Sequence, residues 1–377
     1  MLEYLSSTGS VVIGYAVPAL IVLTVVVFVH ELGHFLVARW CGIKVATFSI
    51  GFGRELFGFF DRQGTRWRFS AIPLGGYVKF VGDENGASIP DAEMLEETPP
   101  AERKGLFHFA PVWQRALVVA AGPFANFLLA IAIFAGIFGI VGKPVTTPIV
   151  EVVNPGSAAE EAGFRPGDTI LAIDGKAMST FTDVQRVVAL ASDETLTFTV
   201  ERDGAEMDLI ATPRRQEIPD GLGGTQRIGV LGVSRQAERR LQRYGPIDAV
   251  GEGVKETYVI IERTLTYVGR LVSGQETADQ LSGPLRVAQV SGVVASSGGV
   301  VGLIHLVGIL SVSIGLLNLF PVPMLDGGHL VFYGIEAARG RPLGARAQEM
   351  GFRIGLALVI MLFVLVTFND IVRMTGI

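Results

Sequence analysis

The sequence predicts a polytopic α-helical membrane protein with four transmembrane helices, a β-rich domain inserted between the second and third helices, and a membrane-associated β-hairpin. Three observations carry that prediction. Of 377 residues, 49% are hydrophobic and only 18% are charged, where soluble domains carry about 25% charge. The apolar residues fall in long blocks, four of which can cross a hydrocarbon core about 30 Å thick. Between the second and third blocks the pattern changes to short β-runs bounded by turn residues.

The first block runs from Val11 to Val37 and meets no charge before His30. The second runs from Ala116 to Val141, the third from Gly299 to Leu325, and the fourth from Ile354 to Phe368. The fourth is the shortest, so its flanks must supply the missing turn. The expected layout is a first helix (1–41), a basic loop holding the hairpin (42–114), a second helix (115–142), the β-rich insert (143–234), an amphipathic linker (235–298), a third helix (299–328), a short segment (329–350), and a fourth helix with its tail (351–377).

Orientation follows from Lys/Arg bias in short loops. The 42–114 loop carries Lys44, Arg54, Arg62, Arg66, Arg68, Lys79, Arg103 and Lys104, and the loop after the third block carries Arg339, Arg341, Arg346 and Arg353. The tail before the first block has no Lys or Arg. Both loops are therefore expected in the cytoplasm, with both termini and the insert on the opposite side. The first block is not a cleavable signal, because it is long and lacks a basic leading region. The small net charge of −5 argues against nucleic acid as a partner. A single cysteine, Cys41, excludes an intrachain disulfide.

Within the insert, the runs PIVEVV, DTILAIDG, TLTFTVERDG and EMDLIATP read as strands, and SAAEEAGF and FTDVQRVVAL read as helices. With turns at Gly167-Asp168 and Asp174-Gly175, this order resembles a single PDZ domain. The stretch RIGVLGV (227–233) suits either a carboxylate-binding loop or a closing strand. Residues 235–298 have the spacing of helices lying on a membrane surface, or of helices packed on the insert.

The motif with the most chemistry is HELGH, His30 to His34. Positions i and i+4 share a helix face, so two imidazoles can hold one zinc with the intervening Glu31 as general base. An ionised Glu at the end of an apolar span costs about 2.5–3.5 kcal/mol, and ionisable residues at such depth are functional by default. A catalytic zinc needs a third protein ligand and an open position for water. The cytoplasmic end of the third block lies at the same depth as that of the first, and there stands NLFPVPMLDGGHL (318–330). It offers Asp326 and His329. Pro321 and Pro323 break the helix there and Gly327-Gly328 permits a sharp turn. Broken backbone at membrane depth survives only where protein buries it or it lines a wet cavity. On chemistry alone the two candidate ligands stand level. For the oxyanion, Asn318 is the expected donor or substrate clamp and Asn126 the alternative, unless Asn126 makes an interhelical hydrogen bond. TRWRFSAIPLGGYVKFV (65–81) reads as two β-runs joined at LGG. Its edge at Gly75, Gly76 and Tyr77 could pair with an unwound substrate strand, and the broken segment at Pro321 and Pro323 is a second expected substrate contact.

HELGH on a first span with NLFPVPMLDGG on a third resembles the site-2 protease family of intramembrane zinc metalloproteases, of the bacterial RseP type. FSIGFG (48–53), IPLGGYVKF (72–80), AGPFANF (121–127) and LSGPLRVAQ (281–289) extend the resemblance over nearly the whole chain. It implies that Asp326, in the position of the family's LDG aspartate, completes the zinc site. It also implies an endopeptidase of a bacterial inner membrane, with termini and PDZ-like domain in the periplasm. The implied substrates are single-pass membrane proteins already trimmed outside, such as anti-sigma factors, or remnant signal peptides. One departure is that the RseP type has two PDZ domains and this chain has room for one. That domain would bind a peptide C-terminus or exclude bulky substrates. A membrane-tethered PDZ scaffold with a structural zinc would not need Glu31. A metal transporter would need polar residues spread through several spans, and a protease of soluble substrates would not need the depth of His30.

Overall fold

The computed structural model describes residues 2–83, 94, 97–100, 102–145, 147–219, 225–234, 240–278 and 281–375. Helix α1 (Leu2–Trp40) leads into strands β1 (Val45–Phe60) and β2 (Arg66–Phe80), and α2 (Val112–Ile140) follows a 3₁₀ turn at Phe107–Phe109. Next come β3 (Lys143–Val145), β4 (Val152–Val153), α3 (Ala158–Glu161), β5 (Thr169–Ile173), β6 (Lys176–Ala177) and α4 (Phe181–Leu190). The strands β7 (Leu196–Arg202), β8 (Ala205–Ala211), β9 (Arg214–Pro219), β10 (Thr225–Val230), β11 (Val233–Ser234) and β12 (Arg240–Gln242) complete this region. Helices α5 (Pro246–Val272), α6 (Pro284–Asn318), α7 (Asp326–Arg339) and α8 (Ala345–Thr375) close the chain. It divides into two compact units, Met1–Gly136 with Pro246–Ile371, and Ile137–Gly245 with Val372–Ile377.

Four helical stretches are long and apolar enough to cross a membrane: Ile13–Trp40, Val112–Ile140, Pro284–Asn318 and Arg346–Met374. The third begins earlier than the apolar block at Gly299 suggested. Gly299 has φ 56 and ψ −149, a conformation no helix contains. A β-carbon on Gly302 would lie 2.9 Å from Val294 Cγ1, although eight helical residues span about 12 Å. The chain therefore doubles back at Gly299, and residues 284–298, expected within the amphipathic linker, pack against the span they precede. The span also ends earlier than Leu325. Prolines 321 and 323 cannot continue the helix, so α6 stops at Asn318 and α7 starts at Asp326.

The first two helices cross at small residues. A β-carbon on Gly33 would stand 2.4 Å from Ala121 O and 2.7 Å from Ala125 Cβ, so only glycine permits this approach. Around this crossing Phe35, Phe48, Val78, Phe80, Phe107 and Val118 form a buried cluster. Within it Phe48 stacks on Trp67 at 4.3 Å.

The sheet corrects one expectation. Residues 65–81 do not fold into a hairpin on themselves; they form the single strand β2, and its partner is β1. The hairpin turn lies at Asp61, whose carboxylate accepts from the Gln63 and Thr65 amides. Bulges let one stretch of β1 pair on both sides: Ser49 lies opposite Tyr77 and also opposite Arg68, while Phe59 lies opposite Trp67. Strand β2 bends after Pro73 at Gly75, whose φ of 122 suits glycine. This folded ribbon presents Gly76–Phe80 toward α1 and exposes Leu56, Phe57, Phe60 and Ile72.

The second unit is β-rich, as expected of the insert. Its four-stranded antiparallel sheet has the order β6-β5-β7-β8. Buried Ile170, Ile173, Val184, Phe198 and Val200 form its core. Helix α4 starts at a capping box between Thr180 and Asp183, and the two-residue strand β4 pairs with β11. Of the 227–233 stretch, the first four residues belong to β10, which pairs with β9.

Candidate metal centre

His30 and His34 stand one turn apart on α1, with rings at 4.8 Å and nearly perpendicular. The break after Asn318 turns the chain so that Asp326, the first residue of α7, reaches them. That corner is close-packed. A β-carbon on Gly327 would lie 2.2 Å from Leu319 O, and one on Gly328 would lie 2.3 Å from Val322 O. These two glycines are what let α7 begin directly against the broken segment.

His30 Nε2 lies 3.1 Å from His34 Nε2. Asp326 Oδ2 lies 3.1 Å from His30 Nε2 and 3.7 Å from His34 Nε2. Among the described residues these three form the one cluster of His, Cys, Asp and Glu able to hold a metal ion. A tetrahedral zinc with bonds of about 2.0–2.1 Å separates its ligand atoms by about 3.3 Å, and the observed triangle has that size. Asp326 Oδ2 is buried and accepts no hydrogen bond of ordinary geometry, which a coordinated cation would remedy. His34 Nδ1 donates to Val118 O at 2.9 Å, so its Nε2 lone pair is free toward the cluster. The residues present fit zinc.

His329, level with Asp326 on chemistry, lines the same cavity but stands outside the cluster. Its ring sits 5.5 Å from Phe352 and 6.4 Å from Tyr333. Burial lowers its pKa below the usual imidazole range, against the opposing Asp326 carboxylate. Burial likewise pushes the Tyr333 hydroxyl up to about 12.

A cavity of about 790 Å³ opens on the cluster, and Glu31, Gly76, Tyr77, Asn318 and Met324 share its wall with the three candidate ligands. Glu31 has the Val78 backbone amide in reach of its carboxylate. The other expected site residues lie off this wall. Gly75 faces the Phe52 ring, Pro321 is exposed, and Pro323 is wedged against Gly328 and Gly355. Asn126 is wholly buried with its amide 3.3 Å from His30 Nδ1.

Among the residues that escaped the sequence reading are Gly122, against the cluster, and Met324, on the cavity wall. A β-carbon on Gly122 would stand 2.3 Å from His34 Nε2 and 2.9 Å from His30 Cε1. The signal was present in AGPFANF, where Gly122 and Asn126 are four apart and share a helix face. Met324 has φ 88, and nothing in its residue type announces that.

Residues 18–362 match the model of peptidase family M50. The chain is 52% identical over 361 residues to a candidate zinc metalloprotease of Rhizobium meliloti, covering 95% of this chain and 96% of that one. It is 52% identical over 366 residues to another from Agrobacterium fabrum, covering 96% and 97%. It is also 43% identical over 380 residues to the metalloprotease MmpA of Caulobacter vibrioides, covering 95% of each. With four membrane-length helices and two of the three candidate zinc ligands near the end of the first, this chain is a multi-pass membrane protein, a zinc metalloprotease belonging to peptidase family M50.

Proposed function

We propose that this metalloprotease cuts single-pass membrane proteins within or beside the bilayer of a bacterial inner membrane, as a step of regulated intramembrane proteolysis. The observation that supports this best is that His30, Glu31 and His34 belong to a membrane-length helix and face a cavity shared with the inner edge of β2.

In this reading His30, His34 and Asp326 would hold a zinc ion, which would supply Lewis-acid polarisation of the scissile carbonyl and activation of a water. Glu31, on the cavity wall, takes the proton as water attacks and returns it to the leaving amide nitrogen. Asn318, on the same wall, clamps the substrate backbone or donates to the oxyanion. A substrate helix must unwind first, because its amides are occupied. The Gly76–Val78 edge beside Glu31 offers backbone groups to the unwound segment by strand addition. The exposed aromatic residues of the folded ribbon suit contact with lipid.

By the Lys/Arg bias, the β-rich insert lies on the periplasmic side with both termini. There it serves as a PDZ-like module that recognises a peptide end or excludes substrates still carrying bulky outer domains. Anti-sigma factors and remnant signal peptides are the substrate classes. Co-expression with tagged single-pass candidates, comparing wild type with Glu31→Gln, tests the proposal. A truncated product seen only with wild type is expected. Identical fragments from both would refute it.

A further inference from the structure

Asn126, which the sequence left level between an alternative oxyanion donor and an interhelical hydrogen bond, makes the interhelical contact. Its side chain is fully buried and off the cavity wall. A β-carbon on Gly315 of α6 would come within 3.2 Å of Asn126 Cβ, so α6 closes over it. What the amide does reach is His30.

Two details of that contact decide its chemistry. The amide nitrogen faces His30 Nδ1 at 3.3 Å, while Asn126 Oδ1 is buried without a partner. If Nδ2 were the donor, Nδ1 would accept, and neutral His30 would carry its proton on Nε2, the atom in the metal cluster. Turning the amide by half a revolution frees the Nε2 lone pair of His30 and gives Oδ1 a donor, since oxygen and nitrogen occupy equivalent positions about the amide plane. Oδ1 then accepts from Nδ1–H, and the Nε2 lone pair is free.

The second histidine already shows this solution, with His34 Nδ1 donating to Val118 O at 2.9 Å. Both acceptors belong to α2. Val118, Gly122 and Asn126 recur every four residues on one face of it, facing His30 and His34, themselves four apart on α1. Two acceptors therefore flank a bare glycine that admits the rings.

We propose that Asn126 is a positioning residue, whose amide oxygen accepts from His30 Nδ1–H and so fixes the tautomer and orientation of that imidazole. This rests on reading His30, His34 and Asp326 as the zinc ligands. An unaided imidazole would rotate and present either nitrogen; the acceptor confines it to one. Groups in this relation to a metal-ligating histidine typically change metal affinity 10–100-fold when removed.

The test measures zinc affinity of the full-length protein in detergent, by competition with a chromophoric chelator. Asn126→Ala should weaken zinc binding by about 10–100-fold. Asn126→Asp, which keeps an acceptor oxygen and loses the amide donor, should stay within a few-fold of wild type. Wild-type affinity in Asn126→Ala overturns the proposal. Equal weakening in both variants overturns it too, because it would make the donor the working group. Should Asn126→Ala not fold, Asn126→Asp decides alone: retained affinity supports the acceptor role and lost affinity, with an unchanged melting curve of the metal-free protein, refutes it. A different result speaks to the ligand assignment beneath. If wild type holds no stoichiometric zinc, or His30→Ala keeps it, that assignment fails whatever Asn126 does.

Discussion

Gly122 of α2 lies so close to His34 that a β-carbon there would stand 2.3 Å from the imidazole Nε2. No side chain occupies that space without moving the histidine or the helix. Gly122→Ala should therefore abolish zinc binding and proteolysis while leaving membrane insertion intact. Gly136→Ala, on the same helix where nothing stands within 4 Å of the added carbon, should change neither. Zinc content by atomic absorption on both purified variants checks this, and a zinc-replete Gly122→Ala would contradict the packing.

The division of labour within HELGH is separable. Removing a ligand and removing a base have different signatures, so His30→Ala and His34→Ala should lose metal and activity together. Glu31→Gln should keep zinc and lose turnover by at least about 10²–10⁴-fold. Metal analysis beside a substrate-cleavage assay distinguishes them. A Glu31→Gln protein without zinc would mean the roles are misassigned.

Asp326 and His329 share a helix and differ in what they face. Asp326→Asn should weaken zinc and abolish cleavage, whereas His329→Ala, set against Tyr333 and Phe352, should keep its metal. The reverse pattern in zinc content would transfer the third ligand to His329.

Met324 holds a left-handed backbone conformation with φ 88 on the cavity wall. Asp174, Asp193 and Asp203 share that feature, but aspartate tolerates it better than methionine. Its neighbour Pro323 cannot relax, because a β-carbon on Gly355 of α8 would lie 1.9 Å from Pro323 O. Relieving the strain with glycine should outweigh glycine's own entropy cost and raise stability by about 1 kcal/mol. Met324→Ala should bring no such gain. Equilibrium unfolding in mixed micelles tests the pair, with equal stability of the two variants as the contrary result.

In the β-rich unit, buried Asp168 is gripped by Arg202 through two contacts, each 2.7 Å, and by the Arg165 amide at 2.8 Å. Burial works to raise the carboxyl pKa, but the guanidinium and amide overcome it, so the pKa lies below the usual carboxylate range. A depressed folded-state pKa means stabilisation present above the unfolded value of about 3.9 and lost as pH falls through the folded one. Amide exchange protection in strands β5 and β7 should hold from neutral pH to about 4 and decline below it. Arg202→Ala should cost about 3–5 kcal/mol even at neutral pH by leaving the carboxylate buried and unpaired. Unchanged protection in that variant would show that the pair is not stabilising.

The insert offers a test on a larger scale. Replacing residues 146 to 233 by a short flexible linker should leave zinc content unchanged. If the insert excludes uncut substrates, the deletion protein should cleave a full-length substrate that wild type leaves alone until its outer domain is removed. If it delivers substrates, cleavage of the trimmed form should fall as well. Unchanged time courses for both forms would leave the insert no part in proteolysis.

The sequence by itself determined that there are four spans and which helix face could offer two imidazoles and a carboxylate to a zinc, though not where the third span begins and ends. Apolar blocks of membrane length have few soluble alternatives, and a helix must bring residues four apart to one face, so His30, Glu31 and His34 needed no tertiary information. What periodicity cannot carry is the meeting of segments far apart in the chain. Only the tertiary structure brought Asp326 within 3.1 Å of His30, because two prolines and two glycines had to set the angle of one corner. It paired β2 with β1 and not with itself, because strand partners are chosen by packing on α1 and not by the strand's own pattern. It also set Asn126 behind His30, choosing the interhelical contact over the substrate path that the sequence had left level with it, since an asparagine on an apolar helix looks the same in sequence whichever neighbour its amide meets.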